Sequence, residues 1–392
     1  TEMRLIDKGA LLLVACSDQN SITVVDTQNG KQLEVIQTAL FPHAPNGSTP
    51  ASLAVSPDGR VLVAANSDNN NLAVFDISQR GQSKSLGFIP VGWYPTSVRF
   101  SHDGRTILVA NGKGLTSRSN VHGANPNIAA DKTVREYIGG LLQGTLSFIP
   151  SPSPAEMSEM TRLAFACCPL EDAKGRNFQI SENHPIPSKP GMVSPIEHCI
   201  YVIKENRTYD QVLGDMSTGN GDPSLCIFPE SVTPNHHALA RQYVQLDNFY
   251  VESEVSADGH EWTMAAYATD FVEKTWPISY RGGRKKLTYP SEGKFKIAEP
   301  SSGYLWDRCA ERGVGYFSFG EFVDNGRTPA DPCTTNIEAL QGHFDPMFRS
   351  YDLDYTDVMR AERFIERWKQ FETEDNLPGL IVLRLPNDHT YG

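Results

Sequence analysis

Pro50-Ala-Ser-Leu-Ala-Val-Ser-Pro-Asp-Gly-Arg60 recurs 45 residues later as Pro95-Thr-Ser-Val-Arg-Phe-Ser-His-Asp-Gly-Arg105. Each copy runs into a matching apolar strand, Val61-Leu-Val-Ala-Ala-Asn66 and Ile107-Leu-Val-Ala-Asn111. The next stretch, Ser67-Asp-Asn-Asn-Asn-Leu-Ala-Val-Phe-Asp76, has an upstream counterpart in Ser17-Asp-Gln-Asn-Ser-Ile-Thr-Val-Val-Asp26. These partial copies establish an internal repeat. Within each unit, short β-branched strands are joined by Asp-Gly or Asn-rich turns, where Gly or Asn accepts the positive φ of a tight hairpin. Four short strands per ~45 residues is the texture of a β-propeller blade.

These residues resemble the YVTN-type propeller family, whose blades carry SPDG…LYVAN…N.V.V.D; the versions here are Val61–Asp76 and Leu12–Asp26. The resemblance spans roughly residues 1–165 and implies a partial propeller of four-stranded blades, with N-terminal blades expected to precede this chain. Gly112–Pro150 reads as a long insertion that ends in one more blade strand, Gly144-Thr-Leu-Ser-Phe-Ile-Pro150. Ala155–Phe165, with Met157, Met160, Leu163 and Ala164 at helical spacing after Ser153-Pro154, reads as a short helix closing the propeller.

Residues 171–195, with Pro185, Pro187, Pro190 and Pro195, read as a linker between residues 1–170 and a second domain, 196–392. Beyond it strands alternate with helices. Strands are expected at Ile196–Lys204, Gln245–Tyr250 and Gly379–Leu385. Helices are expected from Tyr209–Leu213 and at His236–Tyr243, Glu261–Val272, Gly303–Arg312 and Tyr355–Gln370. That alternation predicts an α/β domain with a largely parallel central sheet covered on both faces, and ligands at the carboxyl ends of its strands.

Three polar clusters fall at such strand ends. Tyr201-Val-Ile-Lys-Glu-Asn-Arg-Thr-Tyr-Asp210 is an apolar strand ending in Glu205 and Asn206, a carboxylate beside an amide carbonyl. That pair suits a divalent cation, and equally suits capping the following helix. Ser256 in Val255-Ser-Ala-Asp-Gly-His260 sits where a helix begins. There free N–H groups favour phosphoryl oxygens, although serine is also a preferred N-cap and Asp258 with Glu261 fits a capping box. His260 is open to a phosphate or metal role or a structural one. The last strand delivers Asp388 and His389 into a loop, either as metal ligands or as surface groups of a turn at Pro386-Asn387. Asn235-His236-His237 is set aside because adjacent side chains at a helix start diverge.

Glu-Asn-Arg-(Ser/Thr)-(Phe/Tyr)-Asp after a strand resembles the signature of the phospholipase C and acid phosphatase branch of the alkaline phosphatase superfamily. The resemblance implies an alkaline-phosphatase-like phosphoesterase fused to the propeller, a metal-dependent hydrolase of phosphate mono- or diesters. Ser256 would be the nucleophile, Glu205, Asn206, Asp388 and His389 the metal ligands, and His260 and Arg207 the substrate-binding groups. The cofactor would be a divalent metal ion such as zinc, calcium, magnesium or manganese. The superfamily completes its site with a further acidic pair on later strands, so residues 196–392 are expected to carry its front part.

The chain has 392 residues and a net charge of -12, and its longest basic tract is Arg284-Lys285-Lys286, so no nucleic-acid footprint is present. No apolar run approaches the ~20 residues of a membrane span, and the expected setting is periplasmic or extracellular, with the signal segment outside the chain. Seven cysteines without Cys-x-x-Cys pairs argue against a zinc ribbon or a haem attachment, and Cys309 with Cys333 are candidates for a disulfide. The partner implied is a phosphate-ester substrate, with the propeller free to bind a protein or surface. The alternative is a non-enzymatic cell-surface or scaffold protein that uses the propeller for partner binding.

Overall fold

The computed structural model describes residues 2–42, 44–117, 122, 138–168, 184–187, 192–251, 253–279, 289–290 and 292–389. Most of the expected insertion and linker lie outside these residues. The described part of the chain separates into two compact units.

The repeat becomes three antiparallel sheets. The first is β1 (Met3–Ile6), β2 (Leu11–Cys16), β3 (Ser21–Asp26) and β4 (Gln32–Gln37); the second is β5 (Pro50–Val55), β6 (Val61–Asn66), β7 (Asn71–Asp76) and β8 (Lys84–Pro90). β9 (Trp93–Phe100), β10 (Thr106–Gly114) and β11 (Thr145–Pro150) form the third, and every neighbour in each sheet is antiparallel. The repeated Ser-x-Asp-Gly-Arg turn has one cause in both copies. Ser56 Oγ donates to Asp58 at 2.6 Å while Asp58 accepts from the Arg60 N–H at 3.1 Å, and Ser101, Asp103 and Arg105 repeat this at 2.7 and 3.1 Å. Gly59 and Gly104 take φ of 75° and 70°, the left-handed conformation that glycine adopts without a Cβ penalty.

Alternation along the strands sends side chains to two layers. Leu13, Ala15, Ile22 and Val24 of the first sheet pack on Leu53, Leu62, Ala64 and Phe75 of the second. The opposite face of the second sheet, with Val63, Ala65, Leu72 and Val74, packs on Val98, Ile107 and Val109 of the third. Each fully buried aliphatic side chain contributes roughly 1.5–3 kcal/mol to that stacking. The helix expected at Ala155–Phe165 is α1 (Pro154–Ala166), started by a Ser153/Glu156 capping box. It does not close a ring: it packs along β8, where its Thr161 hydroxyl accepts from the Phe88 N–H at 2.9 Å. The sheets are propeller-like blades that do not form a closed circle.

The second unit is built on a small parallel sheet of order β12-β14-β13: β12 (Cys199–Lys204), β13 (Tyr316–Phe319) and β14 (Leu380–Leu385). The helices after β12 are α2 (Tyr209–Leu213), α3 (Pro234–Gln242), α4 (Ser256–Ala265), α5 (Asp270–Ser279), whose residues as far as Lys274 group with the first unit, α6 (Leu305–Glu311) and α7 (Asp357–Glu374). β14 is apolar on both faces because both are covered. Leu380 and Val382 join Met264, Trp306 and Phe322 on one side, while Ile381 and Leu383 join Phe319, Phe348 and Phe371 on the other.

Three expectations change. Gln245–Tyr250 is not a strand: its backbone pairs with no neighbour, and Leu246, Phe249 and Tyr250 are exposed. The helix expected at Glu261–Val272 is two helices, α4 and α5, because Ala266 turns left-handed at φ 61° and its N–H closes back on the Trp262 carbonyl. Cys309 and Cys333 are both free, as are the other five cysteines, so the expected pairing is not formed.

Candidate active site

The carboxyl ends of β12 and β14 open into a cavity of about 430 Å³ in the second unit. Ser256, His260 and Ala257 enter it from α4, Glu205 from the end of β12, Arg384 from β14, His389 from the loop beyond, and Glu292, Lys294 and Tyr351 from neighbouring segments. Parallel pairing sets this convergence, because β12 and β14 run in register from Cys199 opposite Leu380 to Lys204 opposite Leu385 and so end level with each other. The Glu205 N–H continues the ladder to the Leu385 carbonyl at 3.0 Å.

Glu205 is buried, and its Oε2 lies 3.9 Å from His260 Nε2 and 3.7 Å from Arg384 Nη2, with His389 Nε2 3.7 Å from Oε1. Burial pushes its carboxyl up, but the neighbouring His260 and Arg384 cations outweigh that, with a smaller contribution from Ser256, and hold it at about 2. His260 is anchored from behind by Nδ1, 2.7 Å from the fully buried Glu321. Burial and the Arg384 charge push its imidazole down, yet Glu321 and Glu205 together raise it to about 10, so it is an imidazolium at neutral pH. Arg384 donates to Glu292 at 3.0 Å and to the Ser350 hydroxyl at 3.2 Å, and its Nε lies 4.0 Å from Glu321. Burial works against its charge, and Glu292, Glu321 and Glu205 more than restore it. Glu292 is pushed up by burial and pulled lower overall by Arg384 and His260.

The site is therefore a buried network of three carboxylates, Glu205, Glu292 and Glu321, against two cations, Arg384 and His260. Such a cluster persists only when each charge is compensated. One negative charge is left over, and Glu205 Oε2 and Glu321 Oε2 are buried without a hydrogen-bond partner. Both oxygens face the Arg384 guanidinium, whose Nε is also without a hydrogen-bond partner, so a divalent cation would find one hard-oxygen donor here, Glu205 beside the Ser256 hydroxyl, and would displace the His260 and Arg384 cations from it.

Among the residues singled out from sequence, Glu205, Ser256, His260 and His389 meet in this cavity. Asn206, Arg207 and Asp388 do not line it. Asn206 is exposed. Asp388 turns the other way and takes Arg207 at 2.9 Å and Lys204 at 3.7 Å, on the wall of a second cavity of about 780 Å³. Arg207 also stacks on Phe228. Glu205, Asn206, Asp388 and His389 thus do not converge on one point: among the described residues, no set of three His, Cys, Asp or Glu donors within 4.8 Å includes any of them. Ser256 is the first residue inside α4, and the N-cap is Val255, whose N–H donates to Asp258 at 3.1 Å. Asp258 stands at the third position inside the helix and not at its N-cap, and Glu261 accepts from the Glu292 N–H at 3.0 Å. Of the two histidines set aside, His237 is structural, held between Asp215 at 2.8 Å and the Thr233 carbonyl at 2.9 Å.

Sequence reasoning passed over Arg384, Glu292 and Glu321. Two of them carried a signal: Arg384 is the one charge in Leu380-Ile-Val-Leu-Arg-Leu385, and Glu321 the one charge in Tyr316-Phe-Ser-Phe-Gly-Glu-Phe-Val323. A lone charge inside an apolar run is buried with a partner or serves chemistry.

Residues 2–127 match the family model described as a Choice-of-anchor I domain. No curated protein matches the chain. Among solved structures, similarity extends to hydrazine synthase of Kuenenia stuttgartiensis (28% identity, 28% of this chain and 28% of that one, TM-score 0.24). It also extends to a structure described as a 6-phosphogluconolactonase of Bacteroides fragilis (17% identity, 28% and 31%, TM-score 0.26). A chain of a mitotic checkpoint complex is matched at 18% identity over 28% and 33%, with a TM-score of 0.24. This chain covers about a third or less of each of these structures, and its N-terminal region is similar to a Choice-of-anchor I domain over those 126 residues.

Proposed function

We propose that the second unit is an alkaline-phosphatase-like phosphoesterase that hydrolyses phosphate mono- or diesters at Ser256. The observation that carries this reading is the placement of Ser256 at the start of the ten-residue helix α4, in one cavity with Glu205, His260, His389, Arg384 and Lys294. The Ser256 hydroxyl, which donates to Glu205, gives its proton to that carboxylate as Oγ attacks phosphorus, forming an Oγ–P bond as the bond to the ester oxygen breaks. Water then cleaves the phosphoserine and releases phosphate, or a monoester from a diester. The free N–H groups of the first turn of α4, the His260 imidazolium and Arg384 supply positive charge to the phosphoryl oxygens. His389, with Nε2 facing the cavity beside Glu205, is placed to hand a proton to the departing oxygen. A divalent cation would be held by Glu205 with the Ser256 hydroxyl beside it; when bound it lowers the pKa of the serine and neutralises developing charge.

Turnover of p-nitrophenyl phosphate and bis-p-nitrophenyl phosphate, with added zinc, calcium, magnesium or manganese, tests this. Ser256→Ala is expected to lose activity by ~10³-fold or more. Absence of metal-dependent turnover, or activity unchanged in the variant, overturns the reading.

A second reading is favoured by the Choice-of-anchor similarity over residues 2–127. Here the N-terminal sheets belong to a β-propeller that places the protein at the cell surface or outside the cell, and the second unit is a scaffold. No helix among the described residues is long and apolar enough to cross a membrane. Stoichiometric metal in the purified chain supports the hydrolase; its absence supports the scaffold.

A further inference from the structure

The two nitrogens of the His389 imidazole are engaged separately. Nε2 lies 3.7 Å from Glu205 Oε1 in the cavity, while Nδ1 lies 3.2 Å from the Tyr351 hydroxyl. The two rings meet edge to face, with centroids 5.2 Å apart and planes at 86°. His260 is fixed by helix α4 and by the buried Glu321, whereas His389 leaves the end of a strand on a turn, closed by its own N–H on the Pro386 carbonyl at 3.1 Å. The position of the His389 ring therefore depends on what its side chain touches.

Tyr351 stands on a clamped backbone. The Asn325 side chain accepts from the Ser350 N–H at 2.7 Å and donates to the Tyr351 carbonyl at 2.9 Å, and the fully buried Arg360 donates to the Ser350 carbonyl at 2.6 Å. The Arg384 guanidinium lies over the Tyr351 ring, 5.8 Å from its centroid. A phenol held at its backbone and at its ring face presents its hydroxyl at a fixed point.

We propose that Tyr351 is the positioning residue for His389 in ester cleavage: its hydroxyl holds Nδ1, so that Nε2 is the nitrogen turned to the departing oxygen. This role rests on the phosphoesterase reading of the cavity. The hydroxyl oxygen accepts from Nδ1–H of the imidazolium and keeps that bond after Nε2 has given its proton away. With the Ser256 proton on Glu205, one further proton moves, from Nε2 to the ester oxygen as its bond to phosphorus breaks. The products are the alcohol, phosphoserine and a neutral imidazole whose Nδ1–H still donates to Tyr351. Without the hydroxyl the ring can turn, and either nitrogen can keep the proton.

Leaving groups separate this role from a structural one. A p-nitrophenyl ester releases a stabilised anion, whereas a phenyl ester of the same phosphate, mono- or diester, gains more from a proton delivered as it departs. Tyr351→Phe keeps the ring and its contacts with His389 and Arg384 and removes the hydroxyl alone. In this variant kcat/KM for the phenyl ester is expected to fall about tenfold further than kcat/KM for the p-nitrophenyl ester. His389→Gln should show the same selectivity, and combining the two changes should add little, because both act on one proton transfer. A structural role would lower both esters alike, so an equal loss in Tyr351→Phe, or none, overturns the proposal. Wild-type chain that turns over neither ester overturns the phosphoesterase reading, and this role with it. The contact also has a readout apart from turnover: in nitrogen NMR of histidine-labelled chain, the His389 Nδ1 signal should move in Tyr351→Phe. An unmoved signal overturns the proposal whatever the activity.

Discussion

Glu261 shows how one side chain couples burial to pH. Burial pushes its carboxyl up, the charges of Glu292 and Glu321 add to this, and the Glu292 N–H offsets part of it, leaving it at about 8 instead of the ordinary 4.5. The unfolded chain releases this proton near pH 4.5 while the folded chain keeps it, so stability is full below that pH and falls as pH rises toward 8. Glu261→Gln keeps an acceptor for the Glu292 N–H and removes the ionisation. Thermal melts should show the variant gaining ~1–3 kcal/mol at alkaline pH over wild type, with little gain at acid pH. An equal effect at both ends would show that Glu261 is not held protonated. The same scale shows what the sequence conveyed of the site. Glu205, Ser256, His260 and His389 were legible because each follows an apolar strand or opens a helix. Glu292 was not, because its place opposite Arg384 depends on residues 92 positions apart meeting at 3.0 Å.

At the scale of elements, local chemistry predicted well wherever an element is specified by its own residues. The capping box of α1 is one case: the Ser153 and Glu156 side chains satisfy each other's backbone N–H groups. Ser153→Ala is expected to cost about 1 kcal/mol in urea unfolding, and no loss of stability would mean that contacts with β8 alone fix the helix. Gln245–Tyr250 is the opposite case. Leu246, Phe249 and Tyr250 favour strands, but a strand needs a partner for its backbone groups, and here it is the Gln245 side chain, through Nε2, that donates to the Thr218 carbonyl at 2.8 Å. The split between α4 and α5 was equally hidden, since alanine is a helix former and nothing local marks Ala266 for the left-handed turn.

For the whole molecule, the state of the cysteines is a direct check. All seven are free, with Cys333 buried and its thiol pushed up by that burial. Thiol titration in guanidinium should therefore count seven per chain, and the melting temperature should not respond to reductant; a count of five would restore a disulfide. The sequence by itself determined the repeat, the antiparallel blades and the later strand–helix alternation. Hairpin turns, hydrophobic period and helix caps are short-range and are written in consecutive residues. Only the tertiary structure decided which polar groups share a cavity: it brought Glu205, Ser256, His260 and His389 together and turned Asp388 toward Arg207 and Lys204. The reason is that neighbouring residues leaving a strand point to opposite sides. Which side holds the chemistry is set by buried charges such as Arg384 and Glu321, whose partners are far away in sequence.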